Sequence, residues 1–157
     1  MTKEKIISIY NRHYNSVYRL ALSYTHSISD AEDIVQVVFL KLMEKSPRLE
    51  ADKERSYLAT VTANACKDLL KSNWKRKMDN LYNVPESQLG YMTEDESELF
   101  YAVMNLPVKY RVVIHLHFYE GYTFKEIAKI LKISTSAVSM RIHRSKELLR
   151  TMIEKEE

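Results

Sequence analysis

The side chains in this chain able to do chemistry are few: one cysteine, a close pair of histidines, and two clusters of basic residues near Lys67 and Arg144. Cys66 sits between Ala65 and Lys67 with no histidine nearby in sequence, so it reads as a small core residue rather than a nucleophile. A single cysteine also rules out an intramolecular disulfide and a thiolate metal cluster. His115 and His117 are two positions apart and on a helix do not share a face, so they do not form a metal-binding pair. No glycine-rich phosphate loop is present, and the acidic residues fall at helix starts or in one acidic stretch. No enzyme site, metal or cofactor is predicted.

The basic residues offer a different chemistry. Lys67, Lys71 and Lys75 are spaced four apart and share one helix face, which Arg76 and Lys77 extend. Such a face either neutralises phosphates or is simply solvated. Near the C-terminus, "STSAVSMRIHRSKELLR" combines a hydroxyl-rich start with Arg141, Arg144 and Lys146, while Val138, Ile142 and Leu149 recur at core spacing. That pattern suits a helix that touches phosphates or base edges, and equally one that closes a bundle.

The elements that must position these residues are helical. Only two glycines and three prolines occur in 157 residues, too few turn formers for a sheet protein. Ile6, Tyr10, Tyr14, Val17, Ala21 and Tyr24 mark the face of a first helix. Ser29 with Glu32 predicts a capping box opening a second, whose buried stripe is Ile34, Val38 and Leu42. Acidic residues at its start suit the helix dipole. The polar sides of this helix carry Glu32, Asp33, Gln36 and Lys41, with Phe39 and Met43 between the two faces; core or interface are both open for these. Pro47 ends the unit, and "SPRLEADKERS" is expected to be a polar loop. A third helix is predicted from about Glu54 to Lys77, with Leu58, Val61, Ala65 and Leu69 as its apolar line.

From Asp79 to Glu98 there are six acidic residues and no Lys or Arg, a composition expected of a linker ending in a little helix. Beyond it, Pro107 suits the start of a helix and Gly121 its exit. Thr123 with Glu126 predicts a second capping box, Ile127, Ala128 and Leu131 an inner face, and Ser134 or Thr135 the cap of the last helix. A short helix, tight turn and longer basic helix make a helix-turn-helix pattern. The expected fold is therefore all-α: two small helical domains, 1–78 and 98–157, joined by an acidic linker, 79–97.

The formal charge of +3 is too small to establish a nucleic-acid partner by itself. No signal-peptide core and no run near the roughly 18 apolar residues of a membrane helix is present, so a soluble, intracellular protein without membrane insertion is expected.

In this order, "HYNSVYRLAL", "DAEDIVQVVFLKL", "SYLATVTANACKDLLKS" and "LPVKYRVVIHLHFYEGYTFKEIAKILKISTSAVSMRIHRSKELLR" resemble the extracytoplasmic-function sigma factors of bacterial RNA polymerase, over nearly the whole chain. The resemblance implies a non-enzymatic, cytoplasmic protein that binds core RNA polymerase, recognises and melts promoter DNA, and is commonly partnered by an anti-sigma factor. It implies that Asp33 and Gln36 bind the clamp helices of the largest polymerase subunit, flanked by Phe39 and Met43. Asn64 and Lys67, with Lys71 one turn on, match the family's positions facing the −10 element, and the loop Pro47 to Arg55 would form a pocket for a flipped base. Ser139, Met140, His143 and Arg144 match positions exposed to the −35 element, with Phe124 and Lys125 at the DNA backbone. A basic residue is usual in the family where Ser139 stands, and a small polar one where Met140 stands. The acidic linker would thread the polymerase cleft. Two rivals differ in class. A stand-alone helix-turn-helix regulator leaves the "AEDIVQVVF" helix without a role, and a helical adaptor without DNA contact does not need the hydroxyl-rich, arginine-bearing last helix.

Overall fold

A computed structural model describes residues 1–72 and 94–156, with side chains in the second stretch from 98 to 154. Among the described residues there are seven α-helices and no strand, as the scarcity of turn formers predicts. The chain divides into two compact units, Met1–Tyr82 and Asn83–Glu157.

In the first unit α1 (Lys3–Thr25) packs against both α2 (Ile28–Lys45) and α3 (Ala51–Ser72), which also touch each other. Thr2 caps α1 by accepting from the Lys5 amide at 3.2 Å. Ser27, not Ser29, caps α2, its hydroxyl accepting from the Asp30 amide at 3.2 Å. Helices α1 and α2 close on His26 (φ 51°) and Ser46 (φ 40°), both in the left-handed region. Each returns its amide to a carbonyl four residues back, Leu22 and Leu42 respectively. Ile34, Val38 and Leu42 are buried as their spacing predicts, and so are Leu22 of α1 and Leu58, Ala63 and Cys66 of α3. The stripe read for α1 holds from Val17 onward, but Tyr10 is exposed at its N-terminal end, where Ile9 is buried instead.

Helix α3 starts at Ala51, so only Ser46–Glu50 remains as connection and the expected loop to Arg55 is half helical. Glu54 ties the first turn of α3 to α1. Its carboxylate is 2% exposed and accepts two nearly parallel bonds from Arg12 of α1, Nη1 to Oε1 at 2.6 Å and Nη2 to Oε2 at 3.3 Å. His13 Nε2 lies 3.6 Å from Oε1. Burial works against the charged carboxylate, but the hydrogen bonds and charge of Arg12, helped by His13, outweigh it and hold the group below its ordinary 4.5. The predicted extension of α3 to Lys77, with Lys75 and Arg76, lies outside the described residues, as does most of the acidic stretch.

In the second unit α4 (Glu94–Met104) and α5 (Val108–Ile114) pack with the long α7 (Thr135–Glu156), against which α6 (Phe124–Leu131) also rests. Pro107 stands at the cap position of α5, and His115–Tyr119 continues that helix as a single π turn. Gly121 (φ 76°) makes the exit. Buried Arg111 donates to the carbonyls of Met104 and Leu106, both at 3.2 Å, satisfying the end of α4. Burial lowers its pKa to about 10, still charged near neutrality.

Candidate functional site

Three surfaces gather the residues singled out in the sequence. The first is the outer side of α2. With Ile34, Val38 and Leu42 turned inward, the 3.6-residue period turns Asp33, Gln36, Val37, Leu40 and Met43 outward. All five are exposed, the apolar three at 38%, 52% and 45%. Phe39 does not belong with them: it is 6% exposed and its ring meets Tyr10 of α1 edge-on at a centroid distance of 4.8 Å. Val37 and Leu40, missed at the sequence level, take its place. The signal was available, because Val37 falls one turn from Asp33 and Leu40 one turn from Gln36.

The second surface is on α3. Asn64, Lys67 and Lys71 follow at three- and four-residue steps and so share a face, half-exposed at the first two and fully exposed at the third. The core side of the same helix holds Thr62 and Cys66. Burial pushes the Cys66 thiol well above its usual pKa, leaving no reactive thiolate.

The third surface is built by α6 and α7. The Thr123–Glu126 capping box is present in full, with the Glu126 amide donating to Thr123 Oγ1 at 3.2 Å and the Thr123 amide to Glu126 Oε1 at 2.9 Å. Lys132 in the left-handed region (φ 59°) turns the chain, and Ser134, rather than Thr135, caps α7 by accepting from the Ala137 amide at 3.0 Å. Val138 and Ile142 are buried, and so is Ser145, whose hydroxyl donates to the carbonyl of Arg141 at 2.6 Å and reaches that of Tyr110 at 3.3 Å. Leu149 is only half-buried. With that side fixed, Ser139, Met140, His143 and Arg144 face outward.

An open depression brings Phe124 together with Ser136, Ser139, Met140 and His143. The Phe124 ring is steadied by that of His117 at 4.9 Å, whose Nδ1 is 2.8 Å from the Tyr122 carbonyl. Lys125 is exposed beside it. His143 pairs with Glu147 at 3.0 Å. On the other side of Met140, Arg144 hydrogen-bonds the hydroxyl of Tyr110, lowering the phenol's pKa against the opposing effect of burial, with Lys109 adding to the shift. Tyr110 and Arg144 line one depression with Met140 and Lys109. His115, the other half of the histidine pair, is buried with its Nε2 3.2 Å from Glu120.

The chain is similar to known proteins along its whole length. The family model for Sigma-70 region 2 matches residues 9–76, and that for Sigma-70, region 4 matches residues 96–149. RNA polymerase sigma factor SigV of Bacillus subtilis is 27% identical, over 99% of this chain and 95% of its own. Among solved structures, the sigma factor RpoE in complex with the anti-sigma factor NepR from Bartonella quintana superposes with a TM-score of 0.74 at 18% identity, covering 97% of this chain and 96% of the other. CnrH in complex with the cytosolic domain of CnrY gives 0.68 at 21% identity, covering 99% and 92%. Two helical units, the second a helix-turn-helix, with both regions matched in order, define a sigma factor. The chain belongs to the sigma-70 family, in its extracytoplasmic-function group. It binds core RNA polymerase and promoter DNA and directs transcription initiation. No described helix is long and apolar enough to cross a membrane.

Proposed function

We propose that residues 1–78 bind core polymerase and recognise and melt the −10 element, that 79–97 link the two domains, and that 98–157 read the −35 element. The outer face of α2 docks on the clamp helices of the largest polymerase subunit. The observation that carries this is a helix with apolar side chains on both sides: one side is spent on the core, while Val37, Leu40 and Met43 stay exposed between Asp33 and Gln36. Asn64, Lys67 and Lys71 of α3 face the −10 element, and the connection Ser46–Glu50 leading into α3 takes up an unpaired base. In the major groove of the −35 element, Ser139, Met140, His143 and Arg144 meet base edges, while Phe124 and Lys125 rest on the backbone.

The mechanism is non-enzymatic. Two modest contacts on one chain reinforce each other through effective concentration, and strand opening is driven by capture of unpaired bases rather than by hydrolysis. The protein acts in the cytoplasm with the polymerase. RpoE was crystallised with an anti-sigma factor, and by that likeness such a protein is a further partner of this chain. Run-off transcription with core polymerase on fragmented genomic DNA tests the assignment. Specific transcripts that require this protein are expected; no core binding and no transcript would overturn it.

A further inference from the structure

Met140 is the anomaly of the reading surface. It is 55% exposed, and no other large apolar side chain among the described residues is exposed over Thr135–Glu147 of α7. It stands as a ridge between two open depressions, one shared with Phe124, Ser139 and His143, the other with Lys109, Tyr110 and Arg144. Its neighbours along the helix, Ser136 and Ser139, are short hydroxyls that leave it standing proud. A thioether chain donates no hydrogen bond and accepts only weakly, so it gains nothing from the polar edges of adenine, guanine or cytosine. The apolar group that the four bases offer in the major groove is the C5-methyl of thymine. The cations around the ridge, Lys109, Arg141 and Arg144, fit a polyanion rather than an apolar protein face.

We propose that Met140 is a specificity-determining residue that selects thymine in the upstream promoter element by packing against its C5-methyl group. This rests on α7 being the upstream-element reader. Arg144, one turn on and lining the same depression, then supplies the neighbouring polar contact, so an apolar and a charged contact lie side by side.

Deoxyuridine tests this directly, since it keeps every hydrogen bond of thymidine and lacks only the methyl. With core polymerase and the full chain, on a promoter located by mapping transcript 5′ ends, each thymidine of the upstream element on either strand is replaced in turn. One or two positions are expected to weaken binding about threefold to fivefold, the scale of one buried methyl. Met140→Ala should bind the thymidine promoter that much more weakly and become indifferent to deoxyuridine, while Met140→Leu keeps part of the discrimination. If no position responds, or if Met140→Ala stays equally sensitive, the proposal is wrong. Scrambling the upstream element separates the two failures. If scrambling weakens binding while deoxyuridine does not, only the Met140 assignment falls; if scrambling has no effect, the reading role of α7 falls with it.

Discussion

Arg144 and Glu54 show how much a single side chain depends on a partner distant in sequence. Arg144 shares a depression with Tyr110, whose ring also has Lys109 Nζ 5.0 Å from its centroid. Arg144→Ala should weaken upstream-element binding by about 1–3 kcal/mol if the guanidinium meets a base. Tyr110→Phe, which removes only the neighbouring hydroxyl, should cost less; gel-shift titrations at one fixed salt concentration compare the two, and an unchanged affinity for Arg144→Ala removes it from the site. Glu54 acts on stability instead. Its folded pKa is depressed, so its stabilisation is complete above the ordinary 4.5 and is lost as pH falls through the lower folded value. Glu54→Gln should destabilise the first unit by about 1–3 kcal/mol at neutral pH, discounted because Arg12 is half-exposed. It should also flatten the acid side of the stability curve, as followed by circular dichroism. An acid limb as steep as wild type would mean another carboxylate governs it.

Among the elements, α2 separates packing from docking most clearly. Phe39→Ala empties a buried site and should cost about 3–5 kcal/mol of stability. Leu40→Asp alters an exposed position and should leave the melting temperature nearly unchanged while lowering core-polymerase affinity at least tenfold. Normal binding by Leu40→Asp would refute the docking face. The same helix marks the limit of periodicity. Ile34, Val38 and Leu42 were legible because their inward side is fixed by local spacing. The position of Phe39 was not, because it depends on Tyr10 of another helix. Likewise, the Thr123–Glu126 box is local and could be read, whereas the first turn of α3 is tied to α1 by Arg12, 42 positions before Glu54. The spacing of Ser29 and Glu32 pointed to Ser29 as the cap of α2, but the helix begins two residues earlier and Ser27 takes that place. The roles of Asp33, Asn64 and Ser139 came from the resemblance, since chemistry at exposed positions leaves no trace in hydrophobic spacing.

For the whole molecule, two small units on one chain let each contact be weak, which favours release once initiation is over. Each unit has its own core, one around Leu22 and Leu42, the other around Leu106 and Ile127. The joints between helices give a means of observing them separately. With only two glycines available, α1 ends on His26 and α6 on Lys132, both left-handed, where a side chain costs about 1–2 kcal/mol that glycine does not incur. Replacing either with glycine should therefore raise a melting transition by a few degrees. His26→Gly should move one calorimetric peak and Lys132→Gly the other; a common shift of both would mean that the units melt as one. These two strained corners are thus thermal labels, each reporting when its own half of the sigma factor lets go.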